Sequence, residues 1–398
     1  MKLKAIDVIV TGNPPPGFGG RYFIFVKVAT ACGIVGWGEC YAATVGPKAM
    51  AAVIEDVFGR HCENENPENI ELMFRKVYSA GFTQRPDPTT IGAFSGIEMA
   101  CWDIVGKARN RPVWALLGGK VNERLRSYTY LYPTDDQDQS AFYHDVDASA
   151  QAAALAMKQG FTAVKFDPAG AYTMHAGHMP SMAELERSAQ MCAKIREATD
   201  SRVDLLFGTH GQFSTAGALR LAKWIEEYDP LWYEEPCPPD QFGAIEHLAN
   251  VIKTPIATGE RLTTKTEFAR ALQAGASILQ PALGRSGGIW ETKKIAAIAE
   301  VYNAQMAPHL YAGPIEFLAN VQLAASLPNF LMLETIQTGG EFHNKLLSNP
   351  INWQDGHIIL SDEPGLGADL NEAVARAHPY KGDLLHLEMQ QGFKMVDQ

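Results

Sequence analysis

Three short apolar runs in the middle of the chain each end on a residue that can carry charge or move a proton. Asp204-Leu-Leu-Phe-Gly-Thr ends on His210, Leu231-Trp-Tyr on Glu234 and Glu235, and Pro255-Ile-Ala-Thr-Gly on Glu260. The steps between His210, Glu234 and Glu260 are 24 and 26 residues, the length of one strand, one helix and two short loops. If the runs are neighbouring parallel strands, all three side chains converge on one face of a barrel, where such folds keep their chemistry. Two carboxylates there repel unless a proton or a cation lies between them. A hard divalent ion such as Mg2+ on Glu234, Glu260 and His210 resolves that repulsion. Ion pairs to strand-end lysines or arginines are the plainer alternative.

Other strand ends add to the set. Val164-Lys165-Phe-Asp167 brings a lysine and a carboxylate, Ala307-Pro-His309 a histidine, and Leu331-Met-Leu-Glu334 a further acid. Lys165 in a barrel mouth needs a carboxylate or an anionic substrate beside it, and His309 facing the same mouth is a candidate general acid or base. A cation flanked by bases on both sides of a barrel suits removal of the proton next to a carboxylate, with the cation holding the resulting ene-diolate.

Bulk properties narrow the class. The chain has 398 residues, 46% of them hydrophobic and 20% charged, with a formal net charge of −11. That charge argues against nucleic acid or an anionic membrane as partner and leaves an anionic small substrate open. The six cysteines are scattered without a CxxC pair, as expected of free thiols in a reducing cytoplasm. The opening MKLKAIDVIV carries charge inside its first apolar run, so no signal peptide is expected, and no uncharged run is long enough to span a bilayer.

The elements that must position these residues follow from periodicity. Residues 1–10 and 21–41 predict strands, separated by Thr11-Gly-Asn-Pro-Pro-Pro-Gly-Phe-Gly-Gly20, which is a linker or a loop over a site. Residues 47–79 and 88–108 predict helices, with Glu98 and Asp103 as buried hydrogen-bonding groups on an apolar helix and a second loop at 80–90. From about Arg124 the pattern alternates, with strands near 126–132, 162–167, 203–208, 231–234, 255–259, 277–281, 305–309 and 330–334. The stretch 168–185 interrupts the rhythm as an insertion, and after 335 the pattern dissolves into loops and short strands. The expected fold class is α/β: an eight-stranded barrel behind a smaller α+β unit.

As a set, these motifs resemble the enolase superfamily, in its mandelate racemase group, and within it the acid-sugar dehydratases such as galactonate and mannonate dehydratases. Gly36-Trp-Gly-Glu39, Ala100-Cys-Trp-Asp-Ile-Val-Gly106, Trp232-Tyr-Glu-Glu-Pro236, Thr258-Gly-Glu260, Ser286-Gly-Gly288, Ala307-Pro-His309 and Pro364-Gly-Leu-Gly367 carry the resemblance over essentially the whole chain. It implies a capping α+β domain at 1–123 with lid loops at 12–20 and 80–90, a modified (β/α)7β barrel at 124–365, and a segment at 366–398 returning to the capping domain. It also implies one Mg2+ ion, abstraction of an α-proton, a carboxylate sugar as partner, and a homo-oligomer.

Residue by residue, it casts Glu234 and Glu260 as metal ligands and Glu235 as their supporting carboxylate. Lys165 is the first lysine of a lysine-x-lysine pair, His309 the seventh-strand histidine, Glu334 the acid on the substrate carboxylate, and His210 the acid for a departing hydroxyl. Three positions depart from the pattern: Gly208 stands where the first metal ligand is expected, Asp167 where the second lysine is, and Ala282 where the aspartate behind His309 is. His210 or Asp167 completing the coordination, water completing it, or loss of the metal are the open outcomes at Gly208. The expected reaction is dehydration of an aldonate or aldarate. An epimerase or cycloisomerase using the same intermediate, or a binding relative without catalysis, are the alternatives. Specificity is expected from the lid loops and from Tyr172, His175 and His178.

Overall fold

The computed structural model describes residues 1–41, 45–85, 87–170 and 177–387. The chain opens with an antiparallel meander, β1 (Leu3–Gly12), β2 (Tyr22–Thr30) and β3 (Val35–Cys40), in that order across the sheet. Helices α1 (Pro47–His61), α2 (Ile70–Tyr78) and α3 (Pro88–Arg109) cover it. Tyr22, Ile24, Val26 and Val28 alternate along β2 and pack on Met50, Ile54, Met73 and Phe94, the period-2 pattern of a strand with one face on helices. Helix α3 starts at Pro88 with Asp87 accepting from Thr90 N, and ends where Asn110 turns left-handed. It is buried on nearly every side, because it lies between the meander and the barrel. A short turn, α4 (Val113–Leu116), leads on.

The barrel strands are β4 (Arg124–Tyr130), β5 (Ala163–Phe166), β6 (Asp204–Phe207), β7 (Trp232–Glu234), β8 (Ile256–Thr258), β9 (Ile278–Leu279), β10 (Gln305–Met306) and β11 (Leu333–Thr335). They pair in parallel in chain order from β4 to β10, β11 pairs β4, and a bridge between Met306 and Phe330 closes the ring. A one-turn helix, α5 (Gln139–Phe142), precedes the outer layer. The returns are α6 (Val146–Gln159), α7 (Met182–Ala198), α8 (Thr215–Ile225), α9 (Phe242–Val251), α10 (Lys265–Gln273), α11 (Gly288–Val301) and α12 (Pro314–Ala325). Capping boxes start two of them, Ser181 with Glu184 and Thr264 with Glu267. Beyond the barrel lie α13 (Glu341–Lys345), the hairpin β12 (Trp353–Gln354) and β13 (His357–Ile359), and α14 (Glu372–Ala377).

Register decides what the barrel presents. Tyr128, Ala163, Leu206, Trp232, Ala257, Ile278, Ala307 and Met332 form one apolar cluster, one residue from each strand or the position beside it, filling the barrel interior as layers of four from alternate strands do. Side chains alternate along a strand, so the next inward residue on each lies two positions on. Those residues are Tyr130, Lys165, Gly208, Glu234, Gly259, Gln280, His309 and Glu334. The apolar plug and the polar mouth are thus consecutive layers of one pattern. Glu260 follows Gly259, whose φ of 141° is open to glycine and strained for other residues.

Three buried carboxylates tie the meander unit to the barrel. Glu98 accepts Ile289 N and Trp290 N, each at 2.8 Å, in the first turn of α11, and the Trp102 indole as well. Glu39 accepts Gly313 N at 2.6 Å and Glu316 N at 3.0 Å at the start of α12. Asp103 accepts Trp37 N and Leu366 N and pairs with Lys107. Glu98 and Asp103 are the structural hydrogen-bonding groups that their place on an apolar helix suggests. After α14 the chain meets β1, with Gly12 N bonded to His378 O and Tyr380 N to Val10 O. Removing a carboxylate that caps a helix in another unit strands several buried donors. Glu98→Ala is expected to cost at least about 3 kcal/mol in denaturant unfolding; a change under about 1 kcal/mol would show that the cap carries little.

Candidate active site

Lys165 and Glu234 sit at the centre of the mouth, 2% and 1% exposed. The ammonium lies 2.5 Å from Glu234 Oε1 and 3.9 Å from Glu334 Oε1. The second Glu234 oxygen accepts the Trp232 indole N–H at 3.0 Å and the Gln280 amide at 2.8 Å. Both oxygens of Glu234 are therefore committed, one to a cation and one to two fixed donors. Burial alone would drive the proton off Lys165, but Glu234 and Glu334 outweigh it and hold its pKa well above the usual lysine value. Burial lifts Glu334 to about 7, with Lys165 opposing the rise and Glu234 adding to it. Its Oε2 accepts Leu310 N at 2.8 Å.

A second group lines up across the mouth. Asp167 Oδ2 is 3.1 Å from His210 Nδ1, His210 Nε2 is 3.9 Å from Glu260 Oε1, and His309 Nε2 is 3.6 Å from Glu260 Oε2. The two histidines so placed are driven in opposite directions. Partial burial works against charge on His210, yet Glu260 and Asp167 outweigh it and raise its pKa. Burial pushes His309 down to about 3, with Glu260 opposing and Lys165 and Arg285 adding to the fall. Among the described residues His309 Nδ1 makes no hydrogen bond, and Ala282, where the resemblance expects an aspartate, has none to offer. Glu260 itself is held well below the usual carboxylate range, because His210, His309 and Lys165 overcome its burial.

Other residues fall outside this pair of groups. Glu235 turns away from the mouth and pairs with Arg261, 2.5 Å from its guanidinium. His178 stacks edge-on against Phe213, ring centroids 5.0 Å apart. Tyr172 and His175 lie outside the described residues. A cavity of about 840 Å3 opens beside the ring, walled by Asn13 to Phe18 of the first lid loop, by Tyr130 and Tyr132, and by Gln337 and His343 beyond β11. Lys165, Glu234, Glu260 and His309 do not line it; Tyr130, of their layer, does. Among the described residues, none of the 80–90 loop does either. The partners of Glu234, Trp232 and Gln280, were not singled out by motif. Each lies two positions from another inward residue, which is the signal that finds them.

A parallel barrel with an α+β unit fixed above its strand ends is an enolase-type architecture. The chain is matched over residues 18–118 by the family described as Mandelate racemase / muconate lactonizing enzyme, N-terminal domain, and over 147–374 by that described as Enolase C-terminal domain-like. It belongs to the mandelate racemase / muconate lactonizing enzyme group of the enolase superfamily. It is similar to a D-gluconate/D-galactonate dehydratase of Picrophilus torridus, 30% identical over 96% of this chain and 95% of that one. It is similar to a D-xylonate dehydratase of Haloferax volcanii, 31% identical over 95% of this chain and 88% of that one. A solved mandelate racemase/muconate lactonizing enzyme-like protein from Roseovarius sp. TM1035 is 62% identical, with a TM-score of 0.97 over 98% of this chain and 99% of that one.

Members of the superfamily use Mg2+. The ligand set expected here, Glu234, Glu260 and His210, is not brought together as such a site needs. Among the described residues no group of three or more histidine, cysteine, aspartate or glutamate side chains is placed to hold a metal ion. Glu234 already holds three donors, the Lys165 ammonium among them, and position 208 offers no side chain. As they stand, the residues do not fit the ion. All six cysteines are free thiols, and no described helix is long and apolar enough to cross a membrane.

Removing one partner of a buried ion pair leaves an uncompensated charge. Lys165→Met is expected to lose about 3 kcal/mol of stability in denaturant unfolding. Lys165→Met combined with Glu234→Gln is expected to recover at least half of that loss. An additive double mutant would show that the two residues do not interact.

Proposed function

We propose that this chain is a hydro-lyase that dehydrates a sugar acid by taking the proton next to its carboxylate. The observation that carries the reading is the pair of histidines that face the two oxygens of Glu260: at His210 burial is outweighed by Glu260 and Asp167 and the pKa is raised, whereas burial pushes His309 down to about 3. Dehydration across two adjacent carbons can use such a pair, one group to accept a proton from C2 and one to give a proton to the hydroxyl leaving C3. The names of the two relatives, both sugar-acid dehydratases, support the same class.

Lys165 and Glu334 receive the substrate carboxylate. Lys165 meets its charge, and Glu334, protonated below about pH 7, donates a hydrogen bond to it. As the C2 proton moves to the neutral imidazole of His309, negative charge builds on the carboxylate oxygens and Lys165 stabilises the ene-diolate. Glu260, 3.6 Å away, stabilises the imidazolium that forms. His210, oriented by Asp167, then protonates the C3 hydroxyl, which leaves as water. The enol that remains tautomerises to a 2-keto-3-deoxy acid. The cavity beneath the first lid loop, with its aromatic and amide walls, suits the uncharged polyol end of such a substrate. No step in this sequence passes through a metal ion.

Incubation with D-gluconate, D-galactonate, D-xylonate and further aldonates and aldarates is expected to yield a 2-keto-3-deoxy product from at least one. No product from any of them would sink the proposal, and exchange of the C2 proton with solvent deuterium without net dehydration would replace it with an epimerase. In the dehydratase, His210→Ala is expected to slow turnover by about 100-fold or more. The proton on Glu334 is lost as pH rises through about 7, so kcat/KM is expected to fall above that pH. Glu334→Gln keeps a donor at every pH and is expected to flatten the alkaline limb; an unchanged limb would place that ionisation elsewhere.

A further inference from the structure

We infer that in this chain the Lys165 ammonium is the resident cation of the barrel mouth, and that the superfamily's divalent-metal site is not formed because Gly208 has no carboxylate to give. The inference deepens the dehydratase reading and rests on it for the role of Lys165, though not for the metal.

Register carries the first part of the argument. Gly208 is the inward residue of β6 two positions after Leu206, in the layer that holds Lys165 and Glu234. A side chain there would grow into the site: its Cβ would lie 3.4 Å from Lys165 Cε, 3.7 Å from Asp167 Cβ and 3.3 Å from Phe166 O. The backbone at 208 is not in the left-handed region that would require glycine. The position therefore accepts a side chain with a small adjustment, and a carboxylate on it would point at the Lys165 ammonium and the Glu234 carboxylate.

The second part is the state of Glu234. Its Oε1 holds the ammonium at 2.5 Å and its Oε2 holds two uncharged donors. A divalent ion on Glu234 would have to displace Lys165 or share Oε1 with its ammonium, and either way two like charges would lie close together in a low-dielectric pocket. With a third carboxylate in the layer, an ion and the lysine could both be neutralised. With glycine there, the lysine alone satisfies Glu234. The same ammonium is then the positive charge available to the ene-diolate.

The test is divalent-ion binding by the full chain, read apart from catalysis. Protein dialysed against EDTA and then against Mg2+ or Mn2+ is analysed for metal content, Mn2+ affinity and melting temperature, with and without D-gluconate. The parent is expected to hold well under one ion per chain and to melt at the same temperature with either ion present. Gly208→Asp is expected to bind Mn2+ at least tenfold more tightly than the parent, with Gly208→Ala as steric control matching the parent. One ion per parent chain, lost in Glu234→Gln or, should that variant not fold, in Glu260→Gln, would overturn the inference. A folded Gly208→Asp with no gain in affinity would overturn the assignment of Gly208 as the cause. Sugar-acid turnover is followed in the same samples. Product that disappears on chelation counts against this inference alone, whereas absence of product in every sample counts against the dehydratase reading.

Discussion

An ammonium sealed at the centre of a barrel mouth is the constraint from which the rest of the site follows. Lys165 is 2% exposed, and a lysine so buried stays charged only if its desolvation is offset at short range. Glu234 supplies that offset, and its own second oxygen is in turn fixed by the Trp232 indole and the Gln280 amide. Those three strands, β5, β7 and β9, are thereby locked in register at their C-terminal ends. The remaining carboxylates are then free for other work. Glu260 lies between two histidines, and burial lifts Glu334 to about 7.

The same economy governs how the two units meet. Backbone N–H groups at the first turn of a helix have no partner within it, and Glu98 and Glu39, from the meander unit, fill that need for α11 and α12. These two helices follow β9 and β10, the strands whose ends lead to Gln280 and His309. A capping unit that satisfies helix starts on that side of the barrel fixes the roof over the mouth and the return of the chain beneath it. It also places the first lid loop over the cavity beside Tyr130.

Much of this was legible from residue order. Each of the eight barrel strands appears within a few residues of its expected span, because apolar alternation and helical periodicity are local signals. Lys165, Glu234, His309 and Glu334 could be named because each is an ionisable residue at the end of an apolar run. Gln280 and Trp232 could not, since an amide and an indole are common at such places and only the shared inward register shows that both reach Glu234. The grouping of His210, Glu234 and Glu260 around one ion was harder to judge for a related reason. Strand ends fix where a side chain starts, but Lys165, long and flexible, decides by its charge where Glu234 ends. Arg261 hid the same way behind Glu235, a pair formed across the loop after β8.

The account stands on the mouth ring being the place where a sugar acid is held, with its carboxylate on Lys165 and Glu334 and its C2 between the two histidines. A crystal structure with D-arabinonohydroxamate, whose N–O and C=O imitate C1 and C2 of the D-gluconate ene-diolate, tests this most directly. The hydroxamate N–O oxygen is expected against Lys165 Nζ and the Glu334 carboxyl, with the hydroxamate carbon facing His309, the adjacent hydroxyl facing His210 and the polyol chain toward Tyr130. A hydroxamate seated elsewhere, or one whose carbon faces neither histidine, would contradict it.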